Sequence, residues 1–250
     1  MKKYLTGRFS YRTDVGKVRL TNEDQAIALT NASGNVLLIV CDGMGGQKKG
    51  ELASSLAITT IVSSFKKRKG FLNAYFAKSW VNKVIREANR NIYEQSQSNH
   101  NYHGMGTTVT LLLIIKDIAI LANAGDSRCY FLKNHHDLVQ MSEDQTYVAY
   151  LIRTGQITPE EALTHPKRHV LMNALGIYPS ASVEIKTIPY LNEIVLLCSD
   201  GLYNNVSFED IAAIVKGNDS IEQKVNELIA VANKNGGSDN IAVVLWEAQS

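Results

Sequence analysis

Apolar positions along the chain follow two different periods. Val36–Cys41 is an unbroken apolar run of strand length that stops at Asp42-Gly43-Met44-Gly45-Gly46, which predicts a strand buried on both faces. After Gly50, residues Leu52, Leu56, Ile58, Val62 and Phe65 fall largely on one helical face. A second helix is predicted from about Leu72 to about Tyr93, with Phe76, Trp80, Val84, Ala88 and Ile92 at a spacing of four, and Tyr75 and Trp80 as core. Three strands follow, Thr107–Ile115, Ile118–Ala122 and Arg128–Leu132, separated only by Lys116-Asp117 and by the turn sequence NAGDS. Connections this short demand antiparallel pairing. Ser142 with Gln145, and Thr158 with Glu161 behind Pro159, read as capping boxes that open two small helices. Strands return at Val183–Ile188 and Glu193–Cys198. Ser207 (with Asp210) and Ser220 (with Gln223) open two more helices, the second stopping near Gly236-Gly237, and Ile241–Trp246 is the last strand. Blocks of strands and blocks of helices predict an α+β layered fold with mostly antiparallel sheets, not a doubly wound one.

Composition narrows the picture. The chain has 250 residues, 45% of them hydrophobic, with no linker-like stretch and no repeat, so a single domain over 1–250 is expected. A net charge of +2 is too small to point to nucleic acid. Lys66-Lys67-Arg68-Lys69 follows a predicted helix, where the macrodipole favours cations, and reads as a solvated helix end. The N-terminus has no apolar signal region, and the longest apolar stretch, TTVTLLLIIKDIAILANAG, is split by Lys116-Asp117 into two strands, so no membrane insertion is expected. Cys41, Cys129 and Cys198 lie in apolar strand-like runs and read as buried reduced thiols of a cytoplasmic protein. The pairs His135-His136 and His100/His103 read as loops rather than metal ligands.

Acids at strand ends change the picture most. Asp42-Gly43 follows one strand, Asp200-Gly201 another, and Asp239-Asn240 precedes the last. Gly125-Asp126-Ser127-Arg128 occupies a turn, where Asp126 could also be a plain turn cap or a partner of Arg128. The stretch RLTNED sets Glu23 and Asp24 shortly after Arg19. A single Asp-Gly pair is an ordinary turn. Several aspartates gathered at neighbouring strand ends repel one another unless protonated or bound to a cation. An all-oxygen donor set points to Mg²⁺ or Mn²⁺ rather than zinc, and Gly43 would let its carbonyl approach such an ion. GMGGQKKGE could instead cradle a nucleotide phosphate, but it lacks the Gly-Lys-Ser/Thr of a P-loop and leaves Asp200 and Asp239 unexplained.

The stretches TDVGKVRLTNED, CDGMGG, GMGTTVT, NAGDSRCY, SEDQTYVAYLIRTGQITPEEALTHPKRHVLMNALG, LLCSDGLYN and GGSDNIAVV, from about Thr13 to about Trp246, resemble in content and order the metal-dependent Ser/Thr protein phosphatases of the phosphatase 2C type (PPM family), in their bacterial branch. The resemblance implies a four-layer α-β-β-α sandwich of two sheets flanked by helix pairs, with a two-metal centre at one edge and a small helical flap at about 145–168. It implies that Asp42 bridges two tightly bound Mn²⁺ or Mg²⁺ ions, that the Gly43 carbonyl, Asp200 and Asp239 complete their protein ligands, and that Glu23 and Asp24 hold waters around them. It further implies that Arg19 grips the substrate phosphate and that Asp126 helps bind a third, weaker ion. The implied reaction is hydrolysis of phosphoserine and phosphothreonine by direct attack of a dimetal-activated water. The implied partners are phosphorylated proteins, among them a membrane Ser/Thr kinase and its substrates. A phosphatase-like fold that only binds phosphoproteins is the remaining alternative, and the full set of acids argues against it. Many eukaryotic members carry a histidine where this chain has Met44, which leaves the proton donor to the departing alcohol unnamed.

Overall fold

The computed structural model describes residues 5–46 and 49–249. Two five-strand ladders pack face to face. One sheet runs β1 (Gly7–Asp14), β11 (Ile241–Ala248), β10 (Ile194–Cys198), β7 (Arg128–Lys133) and β8 (Asp137–Gln140). The other runs β2 (Asp24–Thr30), β3 (Val36–Met44), β5 (Val109–Ile115), β6 (Ile118–Ala124) and β9 (Glu184–Pro189), with the short β4 (Gly106–Thr107) as its sixth strand, paired to the end of β3. Every recorded pairing between strands is antiparallel.

Alternation along each strand produces the layers. On β3, Leu37, Ile39 and Cys41 face α1 (Lys49–Lys66) and α2 (Ala74–Ser98), while Val36, Leu38 and Val40 face the opposite sheet. On β11, Ile241, Val243 and Leu245 face α6 (Phe208–Lys216) and α7 (Ile221–Lys234), while Ala242, Val244 and Trp246 fill the space between sheets. Strands covered on both faces carry continuous apolar runs, which is why they were legible as unbroken stretches. The resulting order is α-β-β-α. Residues 145–168 carry α3 (Tyr147–Arg153) and α4 (Pro159–Leu163), of which Leu151 and Ala162 alone are buried. The short α5 (Asp200–Tyr203) follows β10 directly.

Several local expectations are corrected. Ser142 caps no helix: its hydroxyl accepts the Cys129 amide at 3.0 Å, and α3 starts at Tyr147 with Thr146 as its cap. Gln145 reaches instead to Gly125 and Asn173. Tyr75 is 75% exposed rather than core, because α2 begins only at Ala74 and its first turn projects past the layer beneath; α2 also extends five residues beyond Tyr93. Trp80 is buried as expected, its indole N–H donating to Ser64 Oγ at 3.0 Å. The edge strands β1 and β2 and the short β8 are additions to the predicted set. The three cysteines are free and buried, and the histidines at 135 and 136 sit in the β7–β8 turn. Gln47 and Lys48 of the proposed phosphate cradle, and Met1–Tyr4 of the N-terminus, lie outside the described residues.

Candidate metal centre

Strand register brings the acids together. Asp42 on β3 stands directly opposite Asp24 on β2. Its amide donates to Thr108 Oγ1 at 2.9 Å and its carbonyl accepts the Thr107 hydroxyl at 2.9 Å, which fixes the strand end against the β4–β5 junction. The end of β3 must also meet α1 closely. A Cβ on Gly43 would lie 2.2 Å from the Gly50 carbonyl oxygen and 2.6 Å from that of Glu23. Backbone packing therefore requires glycine at position 43, a stronger reason than access of its carbonyl to an ion.

The second sheet supplies the other acids. Asp200 opens α5, and a Cβ on the next residue, Gly201, would collide with the Asn240 carbonyl oxygen at 1.9 Å. That contact lays Asp200 beside Asp239, just ahead of β11. Asn240 is the knot of this corner: its side-chain amide donates to the carbonyls of Val15 and Thr21, both at 2.9 Å, and its Oδ1 accepts the Glu23 amide at 2.8 Å. The β1–β2 connection, and with it Arg19, is thereby held over the acids. Arg19 Nη2 lies 2.8 Å from Asp239 Oδ2 with its side chain half exposed at the rim.

Asp24 and Asp126 are buried, whereas Asp42, Asp200 and Asp239 are partly exposed. Burial, with repulsion from Asp200 and Asp239, lifts Asp24 to about 8 despite the Ser199 hydroxyl that donates to its Oδ2 at 2.6 Å. Burial, with the neighbouring charge of Asp200, lifts Asp126 to about 7, and burial with Asp239 lifts Asp200 to about 6. Asp42 is pushed well above the usual carboxylate range by burial and by Asp24, Asp200, Asp126 and Asp239 together. His169, just beyond the helical segment 145–168, favours the ionised form of Asp200.

The donor set fits a hard divalent cation. Asp24 Oδ1 and Asp200 Oδ1 are buried without a hydrogen-bond partner, so each has a lone pair to offer. Among the described residues no three His, Cys, Asp or Glu side chains close into a ready-made cage. Mg²⁺-type ions keep several waters and take few carboxylates, so openly spaced acids suit them. Burial raises all three thiols, Cys198 to about 12 and the others further, which removes cysteine as a nucleophile.

Glu23 is spoken for differently from the acids around it. Its Oε1 accepts the Gly50 amide at 3.2 Å, at the N-terminus of α1, and its carbonyl accepts the Ser54 hydroxyl at 2.7 Å. Arg128 does not pair with the Asp126 carboxylate; it forks Asp144 instead. Asn240, Ser199 and Tyr203 had no role in the sequence reading, and the only signal for Asn240 was its place after Asp239.

Comparison with known proteins agrees with this architecture. A family model described as Protein phosphatase 2C matches residues 17–245. The serine/threonine phosphatase stp of Listeria monocytogenes is 37% identical over 238 residues, spanning 95% of this chain and 94% of its own. The structure of the serine/threonine phosphatase Stp1 from Staphylococcus aureus superposes with a TM-score of 0.93 at 32% identity, covering 100% of this chain and 98% of that one. The catalytic domain of the serine threonine protein phosphatase PstP, solved in complex with two manganese ions, superposes with a TM-score of 0.84 at 32% identity, covering 98% of this chain and 100% of that one. The chain belongs to the protein phosphatase 2C family.

Proposed function

We propose that this protein is a metal-dependent phosphatase that removes phosphate from phosphoserine and phosphothreonine in proteins. The observation that carries the reading is the convergence of Asp24, Asp42, Asp126, Asp200 and Asp239, from five separate stretches of chain, beneath the guanidinium of Arg19. In this reading Asp42, Asp200, Asp239 and the Gly43 carbonyl hold two Mn²⁺ or Mg²⁺ ions, Glu23 and Asp24 hold waters beside them, and Asp126 serves a third, weaker ion. When bound, such a pair of ions supplies a water acidic enough to be deprotonated near neutral pH.

The chain's own groups do the rest. Arg19 turns its planar fork from Asp239 to the phosphate and takes up equatorial charge as the bond to phosphorus breaks. The Ser199 hydroxyl fixes Asp24 at 2.6 Å, so that the buried acid keeps one orientation while its other oxygen stays available. Met44 has no proton to give, so water protonates the departing alcohol. No serine or cysteine needs to be phosphorylated.

Phosphorylated proteins are the substrate class. We assign as the finer target a membrane Ser/Thr kinase with extracellular penicillin-binding repeats, together with that kinase's cytosolic substrates. We assign the work to the cytoplasm, in keeping with three buried free thiols. Among the described residues no helix is long and apolar enough to cross a membrane. The domain reading of one catalytic unit over 1–250 with a flap at about 145–168 belongs to the same proposal. Phosphate release from a phosphothreonine peptide with Mn²⁺, and again after EDTA, tests it. Release that persists in EDTA, or absent turnover with tight peptide binding, would overturn it.

A further inference from the structure

Arg128 and Cys198 are opposite each other on β7 and β10. Asp126 lies two residues before Arg128 and Asp200 two residues after Cys198, so both acids leave the sheet at the same end. Two like charges there repel, and something other than their own carboxylates has to fix their spacing. Tyr203, three positions beyond Asp200 on α5, donates its hydroxyl to the Asp126 carbonyl at 3.1 Å. The Arg128 guanidinium carbon sits 3.5 Å from the centroid of the Tyr203 ring. Its Nε and Nη2 reach Asp144 at 3.0 and 2.7 Å, and Nη1 donates to the Tyr130 hydroxyl at 3.2 Å. With every nitrogen of its fork engaged, the guanidinium is a fixed plate, and the tyrosine ring stacked on it has little freedom to tilt.

We infer that Tyr203 and Arg128 are positioning residues that set the distance of Asp126 from Asp200. The clamp takes hold of the Asp126 carbonyl and touches neither carboxylate; Asp200 Oδ2 accepts the Asn204 side-chain amide at 3.0 Å, and its Oδ1 is left for a cation. Asp144 lies at the root of the flap segment, one residue before Gln145, whose amide donates to the Gly125 carbonyl at 3.0 Å. The same plate therefore ties flap root, acid turn and α5 together. This inference rests on the reading of Asp126 as a ligand of a weak third ion.

Tyr203→Phe keeps the ring and its stacking and deletes only the hydroxyl, while Arg128→Lys keeps the charge and loses the fork. The thermal midpoint of each variant, followed from micromolar to tens of millimolar Mn²⁺, reads binding without turnover. Rate on a phosphothreonine peptide against Mn²⁺ is measured alongside, with Asp126→Ala as the reference. The rise in midpoint at low Mn²⁺ should be common to all of them. The further rise at high Mn²⁺ should be absent in Asp126→Ala, and displaced to about 3–10-fold higher concentration in Tyr203→Phe, the weight of one hydrogen bond. Arg128→Lys should displace it at least as far; if that variant fails to fold, Tyr203→Phe decides alone. A lower midpoint with no displacement would make the clamp merely structural and overturn the inference, while leaving the third ion in place. Persistence of the high-Mn²⁺ rise in Asp126→Ala would instead remove the third ion, and the inference with it.

Discussion

Asp24 faces Asp42 directly across the antiparallel pair of β2 and β3. Like charges at such a pair destabilise a sheet, and here one of the two is 1% exposed. With Asp24 lifted to about 8, Asp126 to about 7 and Asp200 to about 6, the folded chain holds protons that the unfolded chain has released above its ordinary value of 3.8. Stability then falls as pH rises between those limits. In EDTA stability should drop between pH 5 and pH 8 by about 2 kcal/mol, a fall of roughly 4–8 °C in thermal midpoint for a chain of this size. Saturating Mn²⁺ should flatten the curve. A flat curve in EDTA would mean the acids do not strain the metal-free fold.

Asp42→Asn replaces the acid with the most acidic neighbours by a neutral isostere. Turnover should fall by about 10³-fold or more, and the Mn²⁺-dependent gain in thermal midpoint should vanish while the far-ultraviolet circular dichroism is unchanged. Near-normal activity would sink the assignment of Asp42 to both ions.

Arg19 shares a 2.8 Å contact with Asp239, so it competes for an oxygen assigned to a metal. Arg19→Ala should lower kcat/KM by about 2–4 kcal/mol, from loss of one charge-assisted fork on phosphate. Calorimetric Mn²⁺ affinity should stay the same or rise slightly. Weaker metal binding would show that the arginine supports the acids instead of the substrate.

Gly201→Ala puts a methyl group against the Asn240 carbonyl oxygen. Relieving that contact moves α5 away from β11 and parts Asp200 from Asp239. A loss of about 1–3 kcal/mol in stability should come with weakened Mn²⁺ binding, read by denaturant unfolding with and without the ion. Lost stability with intact metal binding would separate the contact from the site.

The central strands of both sheets were legible because burial on two faces leaves an unbroken apolar signature, as in Val36–Cys41 and Ile194–Cys198. β1 and β2 were not, because edge strands bury less: Arg8 and Arg12 sit among the aromatics of one, and only Asp24 and Ala28 are buried in the other. Ser142 and Gln145 matched a capping box in spacing, but tertiary hydrogen bonds to Cys129 and Gly125 claimed both side chains. The acids at strand ends could be found one by one. Their partners could not, since Asn240 to Val15 and Ser199 to Asp24 are contacts across more than a hundred residues, and no local pattern encodes them.

β11 lies between β1 and β10, and Asp239 stands two residues before its first residue. The first strand of its sheet therefore waits, unpaired on that side, for a segment near residue 241, a closure of the slow, long-range kind. During synthesis the emerging chain carries Asp24, Asp42 and Asp126 for most of its length without the strand that completes their surroundings. A ribosome-bound precursor should thus be inert towards phosphoproteins until β11 slides into place, and competence should arrive as a single event with that strand.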